Sequence, residues 1–146
     1  MVWTTSDFVF AAAMVVLAGI ALVLALRTHR SAAYRAGAAI AVAAAFLIVW
    51  INGAVGILGS EGNPRNRIYE AVIAIALAGA LAARFRPRGM ARALLVTAVA
   101  QALAAVLPWL AGWGAAGLIT LFFAGMWLAS AWLFARAARE PGAALR

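Results

Sequence analysis

Long apolar runs alternate with short polar segments along the whole chain. Phe8 to Leu26 contains no charged side chain, and a helix of this length, at 1.5 Å per residue, nearly spans a bilayer core of about 30 Å. Four further, mainly apolar runs follow. The pattern predicts one domain over residues 1–146 with transmembrane helices at 8–26 (TM1), 36–58 (TM2), 64–83 (TM3), 90–110 (TM4) and 115–135 (TM5).

Turn and capping residues predict where several of these helices begin and end. Ser6 or Asp7 is a suitable N-cap for TM1. The pair Asn63-Pro64 predicts the start of TM3, since proline is favoured at the first helical position. Pro87 predicts a break before TM4. Three glycines at three-residue spacing near the end of TM2 are expected to allow close backbone approach on one helix face: Gly53, Gly56 and Gly59.

Composition strengthens the membrane interpretation. The chain has 146 residues, of which 68% are hydrophobic and 11% charged, whereas a soluble domain is about half apolar and a quarter charged. The net charge of +8 does not indicate nucleic-acid binding, because the arginines lie in short runs between apolar spans. With no cysteine and one histidine, His29, the sequence lacks disulfides, thiolate sites and a bis-histidine haem, and we expect no cofactor and no metal.

The arginines also predict an orientation. Three lie in the loop after TM1, four in the loop after TM3 and three in the C-terminal tail, all on one side of a five-span arrangement. The positive-inside rule makes that side cytoplasmic, where the arginines would meet anionic lipid heads. The prediction is an all-α membrane protein, a bundle of five transmembrane helices with its N-terminus outside and its C-terminus inside. Four aromatic residues are expected at the outer interface: Trp3, Tyr69, Trp109 and Trp113.

Polar side chains concentrate between residues 50 and 70. This stretch covers the end of TM2, the loop after it and the start of TM3. Polar groups within a bilayer are rare and usually have a role. The candidate ligand-binding or partner-binding residues are Asn52, Glu61, Asn63, Asn66, Glu70 and Gln101. We predict that TM2 and TM4 pack side by side, with Asn52 and Gln101 in direct or water-bridged reach at the base of an outward-facing indentation. That cavity would also include Thr97 and Thr120; the alternative is a structural interhelical hydrogen bond.

The charged residues of the same stretch allow two interpretations. One is a solvated loop with local ion pairs, such as Arg67 with Glu70. The other is a ligand or partner site near a helix start, in which Glu70 is the best candidate for a proton carrier. Glu61 and Glu70 do not predict glycosidase or calcium chemistry, because arginines adjoin them and no third acid is nearby.

Two segments resemble those of small, uncharacterised bacterial inner-membrane proteins. They are Asn52-Gly-Ala-Val-Gly-Ile-Leu-Gly-Ser-Glu-Gly-Asn-Pro-Arg-Asn66 and Ala83-Arg-Phe-Arg-Pro-Arg-Gly-Met-Ala-Arg-Ala-Leu94. The resemblance covers most of the chain but departs in the loop, where that group tends to have an acid at Gly62 and a small residue at Arg65. It implies a multi-pass helical protein of the bacterial inner (cytoplasmic) membrane and implies no activity.

Two functional hypotheses follow, and neither is enzymatic, since the sequence has no Ser-His-Asp set, metal cluster or phosphate loop. The first is an interaction, scaffold or accessory subunit that packs against another membrane protein, or against itself, through small residues such as Gly37, Ala41 and Ala45. The alternative is a small-solute or proton pathway through the outer polar cluster. The sequence favours the first, because the inner halves of the helices offer only Ser130 as a polar group.

Overall fold

Five α-helices and one 3-10 turn make up the regular structure of the described chain. The computed structural model describes residues 3–29, 31–114 and 116–142, so the predicted first residue of TM5 lies outside the described part. The elements are α1 (Thr5–Thr28), α2 (Ala32–Ala54), the 3-10 turn (Pro64–Asn66), α3 (Arg67–Ala82), α4 (Pro87–Leu110) and α5 (Gly117–Ala137).

Four of these helices, α1, α2, α4 and α5, are long and apolar enough to cross a membrane. The structure thus confirms an all-helical fold with four candidate membrane spans. The remaining helix, α3, has 16 residues and is about 24 Å long at 1.5 Å per residue, which is less than a bilayer core of about 30 Å. The fifth span therefore stays a prediction.

The capping residue of α1 differs from the predicted one. Thr4 is the N-cap, rather than Ser6 or Asp7. The Asp7 carboxylate accepts from the Thr4 backbone N–H at 2.7 Å, and the Asp7 N–H donates to the Thr4 hydroxyl at 3.4 Å. This reciprocal pair is a capping box, in which two backbone donors of the first turn are satisfied at once.

The helix α2 ends at Ala54, and not at Leu58 as predicted. Gly56 has φ +72°, and a Cβ there would lie 2.2 Å from the Ser60 carbonyl oxygen, so only glycine allows the chain to turn back at this position. Gly59 also has positive φ. Gly56 and Gly59 therefore belong to the loop, and the predicted glycine face on TM2 was wrong.

A tight turn joins α3 to α4 at the opposite end of the bundle. Pro87 is in the first turn of α4, so it begins this helix instead of separating it from the loop, and α4 starts earlier than the predicted residue 90. Arg84 and Phe85 have φ of 51° and 57°, which is uncommon for residues with a side chain. The Tyr34 hydroxyl of α2 donates to the Phe85 carbonyl at 2.8 Å and so ties this turn to the bundle.

The core forms around α5, which packs against α4 and α2, while α3 packs mainly on α4 and α1 mainly on α2. Eight residues of α5 are buried and none of α1 is. The Ser130 hydroxyl donates to the Gly37 carbonyl at 2.6 Å, and a Cβ at Gly37 would lie 3.2 Å from the Phe134 ring. Gly37 thus serves the contact between α2 and α5 of this chain, and the predicted role in binding a partner was wrong for this residue.

The two ends of the bundle differ in character. One end, here called the loop end, carries the start of α1, the α2–α3 loop and the α4–α5 connection; Trp3 and Trp50 rings lie 6.0 Å apart there, and the Arg65 guanidinium stacks at 5.0 Å over Trp113. The other, the arginine end, carries the α3–α4 turn and the end of α5.

Tyr69 is fully buried, so its predicted place in an interfacial belt was wrong.

Candidate functional site

Asparagine side chains hold the α2–α3 loop in shape. Asn66 is buried; its Oδ1 accepts from the Leu58 N–H at 2.8 Å and its Nδ2 donates to the Ser60 carbonyl at 2.7 Å. Asn63 donates from Nδ2 to the Leu58 carbonyl at 2.7 Å. Because a buried backbone group without a partner destabilises a fold, these amides replace the hydrogen bonds that a helix would have supplied.

Asn52 connects the end of α2 to this loop. Its Nδ2 donates to the Asn66 carbonyl at 3.4 Å, which is a long hydrogen bond. Its Oδ1 is buried and, among the described residues, receives no hydrogen bond. A buried acceptor without a donor is unusual in a native protein, so this oxygen is the first indication of a ligand site.

A cavity of about 330 Å³ opens beside Asn52 at the loop end. We call it the loop-end pocket. Phe10 of α1 closes one side, α2 contributes the turn around Asn52, and the loop and the first two turns of α3 complete the wall. Five of the six predicted site residues line it: Asn52, Glu61, Asn63, Asn66 and Glu70.

The charged groups of the loop-end pocket are unpaired. Glu61, Glu70 and Arg67 all line it, and all three side chains are exposed. Within the described residues, no ion pair or hydrogen bond engages these three side chains, so the predicted local pair between Arg67 and Glu70 is absent. The pocket therefore presents two carboxylates and one guanidinium, with one negative charge in excess.

Gln101 lies elsewhere, in the core. It is fully buried, and its Oε1 accepts from the Trp127 indole N–H at 3.3 Å. The predicted packing of TM2 beside TM4 was wrong, because α4 contacts α5 and α3 instead of α2. Asn52 and Gln101 form no direct hydrogen bond, while the water-bridged form of their contact stays a prediction. The Gln101 Nε2 is buried and, in the part of the chain that is described, has no acceptor.

The two threonines expected in the cavity are also core residues. Thr97 donates to the Ala93 carbonyl one turn earlier, at 2.9 Å. Thr120 shares a 3.3 Å hydrogen bond with the Tyr69 hydroxyl. Neither threonine lines the loop-end pocket, so these polar groups serve helix packing.

Sequence reasoning missed two residues that shape the pocket. Arg67 was assigned to a local ion pair, yet it supplies the only cationic group of the lining. Phe10 had no polar or spacing signal, since its place depends on how α1 packs against α2. A smaller cavity of about 250 Å³ shares Phe10 and Glu61 with the loop-end pocket and is also lined by Asp7. The hydrogen bonds from Thr4 hold the pKa of the Asp7 carboxyl below its usual value.

The donor set does not suggest a metal centre. Across the described ranges, no group of three or more His, Cys, Asp or Glu side chains is arranged to hold a metal ion. In comparisons with protein-family models, curated proteins and solved structures, nothing matches this chain. Its function is therefore inferred from its own geometry.

Proposed function

We propose that this chain is a non-enzymatic integral membrane protein that binds a small zwitterionic ligand in the loop-end pocket. The observation that carries the proposal is the surplus of acceptors there: the exposed Glu61 and Glu70 carboxylates, which have no partner among the described residues. An ammonium group has three donors and no acceptor, so it suits these carboxylates. Arg67 offers a planar guanidinium to an anionic group of the same ligand.

The size and polarity of the cavity support a small ligand. Its volume of about 330 Å³ lies at the lower end of the range of about 300–1,000 Å³ that is typical of small-molecule sites. A purely anionic ligand would face two carboxylates, and a purely cationic one would face Arg67. A ligand with both charges meets complementary groups on each side.

Binding of phosphoethanolamine to the purified protein in detergent tests the proposal. We expect calorimetry to detect binding, and we expect the double substitution Glu61→Gln with Glu70→Gln to weaken it by about ten-fold or more. Glu140→Gln is the matched control, because Glu140 is the one acid at the arginine end. No heat of binding with the wild type, or equal losses in both variants, would contradict the proposal.

The proposal includes a five-span topology with the loop end outside the cell. It is supported by the described arginines at the end of α1, at the start of α2, in the α3–α4 turn and at the end of α5, which all lie at one end of the bundle. In a chain without native cysteine, we expect Gly62→Cys to react with a membrane-impermeant reagent from outside, and Ser31→Cys or Gly142→Cys only from inside. Labelling of Gly142→Cys from outside would rule out this topology.

An interaction or accessory subunit is the second candidate function. The observation in its favour is α1, which buries no residue and has α2 as its main neighbour. Cross-linking through Gly19→Cys, at a position with open space around it, would then capture a second chain in membranes. A monomeric product at all protein concentrations would weigh against self-association.

A proton pathway through Glu70 receives less support. A second cavity borders the loop-end pocket at Val49 and Ile73 and extends toward the arginine end. Its lining is almost wholly apolar and offers no proton relay. We therefore expect Glu70→Gln to leave any proton flux in liposomes unchanged. A pH-driven wild-type flux that this substitution abolishes would favour the transport hypothesis instead.

A further inference from the structure

A second cavity of about 400 Å³ lies along the bundle between α1 and α3. We call it the α1–α3 groove. Small side chains create it, since Ala18 and Ala25 of α1, Ala41 and Ala45 of α2 and Ala80 of α3 all line it. The two helices on its sides make no substantial contact with each other. The groove is therefore a gap in the packing of this chain, with α2 behind it.

The groove and the loop-end pocket lie next to each other. Val49 of α2 and Ile73 of α3 line both cavities. On the loop-end side of these two residues the walls carry charged and amide groups, and on the other side they are mainly alanine, leucine, methionine and aromatic residues. We call the two neighbouring cavities together the trench, which is polar at the loop end and apolar toward the arginine end.

The dimensions favour a hydrocarbon chain as the occupant. The groove follows α1 from Met14 to Ala25, which is about 16 Å at 1.5 Å per residue. Its volume of about 400 Å³ then gives a mean cross-section of roughly 25 Å² for the space inside it. A long and narrow apolar space of this kind suits one acyl chain lying along α1.

Tyr34 lines the far end of the groove, where its hydroxyl donates to the Phe85 carbonyl and its ring stacks at 3.6 Å on His29. The polar groups lie at the loop end, where the two carboxylates and Arg67 are exposed. An amphiphile in the trench would therefore place its head in the loop-end pocket and its tail in the groove.

We propose that the trench binds a phospholipid with an ethanolamine-type head, its ammonium group at Glu61 and Glu70, its phosphate at Arg67, and one acyl chain in the α1–α3 groove. This inference rests on the proposed function and names the ligand class of the same pocket. Charge complementarity selects the zwitterion, because a head with only a negative charge would meet the excess carboxylate. The second acyl chain lies on the outside, against the exposed surface of α1 or α3.

Lipid retention by the full chain tests the inference. The protein is reconstituted into nanodiscs with equal amounts of phosphatidylethanolamine and phosphatidylglycerol, and the lipids that remain bound are counted by native mass spectrometry. We expect about ten-fold more retained phosphatidylethanolamine than phosphatidylglycerol. The double substitution Glu61→Gln with Glu70→Gln should remove this preference. Preferential retention of phosphatidylglycerol, or a preference that survives the double substitution, would overturn the inference.

A second variant pair tests the tail. Ala45→Phe fills the groove, whereas Ala43→Phe is the control on the exposed side of the same helix. We expect only Ala45→Phe to reduce retention, by about ten-fold. If Ala45→Phe does not fold, Ala18→Leu on α1 replaces it, because Ala18 lines the groove on a helix that contributes no buried residue.

The outcomes separate the two proposals. If phosphoethanolamine binds but Ala45→Phe does not change lipid retention, the lipid inference is overturned and the proposed function is still supported. Absence of phosphoethanolamine binding, together with retention that depends on the groove alone, would overturn the head-group assignment and with it the proposed function.

Discussion

The helices α1 and α5 are both long, apolar and able to cross a membrane, yet they differ in how much of each helix is buried. α5 buries eight residues and touches α2 and α4, while α1 buries none. The difference does not come from apolarity, since lipid tails are as apolar as a leucine side chain and do not drive helices together. It comes from side chains that need a hydrogen-bond or packing partner, which α5 has and the apolar part of α1 lacks.

Four contacts of α5 involve a hydrogen bond or a defined ring geometry. Thr120, Trp127 and Ser130 reach Tyr69, Gln101 and the Gly37 carbonyl, and Phe134 packs edge-on against the Tyr34 ring at 4.9 Å between centroids. The apolar part of α1 has only aliphatic, small and aromatic side chains, so lipid can surround it without leaving a polar group unsatisfied. Burial in this protein therefore follows polar pairs and close packing.

The largest expected effect comes from removing a packed ring on α5. Phe134 is fully buried, and we expect Phe134→Ala to lower the free energy of unfolding by about 3–5 kcal/mol, as for a large ring removed from a core. Phe8→Ala on α1, where the ring is 62% exposed, should change it by less than about 0.5 kcal/mol. Unfolding in mixed detergent with increasing SDS measures both. Equal losses would show that α1 packs as tightly as α5.

The next effect contrasts two glycines. A Cβ at Gly37 would lie 3.2 Å from the Phe134 ring, whereas Gly19 in α1 has no atom within 4 Å of that position. We expect Gly37→Leu to push α2 away from α5 and destabilise the protein by about 1–3 kcal/mol. Gly19→Leu should stabilise it by up to about 1 kcal/mol, because leucine is the better helix former. The same unfolding assay should give opposite signs; two effects of one sign would contradict the comparison.

A smaller effect is expected from a single hydroxyl of α5. Ser130→Ala removes the hydrogen bond to the Gly37 carbonyl, and interhelical hydrogen bonds in membranes contribute about 0.6 kcal/mol on average. Thr28→Ala on α1 is the control, because the Thr28 hydroxyl bonds only within its own helix, to the Leu24 carbonyl. We expect SDS unfolding to be shifted by Ser130→Ala alone; a larger shift with the control would show that the interhelical bond is unimportant.

The smallest effect concerns pH and the start of α1. Because the Thr4 hydrogen bonds lower the pKa of Asp7 below 3.8, the capping interaction is fully present above that pH. It is lost as the pH falls through the lowered pKa of the folded protein. We expect hydrogen-exchange protection in the first turn of α1 to fall over this acidic range, and protection in α5 to stay constant. If hydrogen-exchange protection of the first turn depends on pH in the Asp7→Asn variant as it does in the wild type, Asp7 is not the source of that dependence.

Much of this fold could be predicted from the sequence. Run length and charge predicted the five helices. Asn63-Pro64 was predicted to start TM3, whereas it starts a 3-10 turn and α3 begins only at Arg67. The end of α2 was misplaced, because the residues up to Leu58 are apolar and only the left-handed φ of Gly56 stops the helix. Apolarity alone does not distinguish a helix from a buried loop.

The site could be predicted only in part. Clustering of polar residues in the sequence identified five residues that do line one pocket. The same reasoning placed Gln101 beside Asn52, because both are amides at similar depth, and it had no means of deciding which helices are neighbours. The position of Phe10 and the existence of the α1–α3 groove depend on which helices pack side by side, so no local sequence pattern predicts them.

The lipid inference requires the loop-end pocket to continue into the apolar groove at Ile73, and cysteine reactivity tests this continuity most directly. Ile73 lines both cavities, while Leu77, one turn further along α3, lines only the groove. With Gly62→Cys as the reactive standard, we expect a small water-soluble thiol reagent to label Ile73→Cys from the loop end and to leave Leu77→Cys unlabelled. Excess phosphatidylethanolamine should slow the reaction of Ile73→Cys. An unreactive Ile73→Cys, or equal rates at Ile73→Cys and Leu77→Cys, would contradict this continuity.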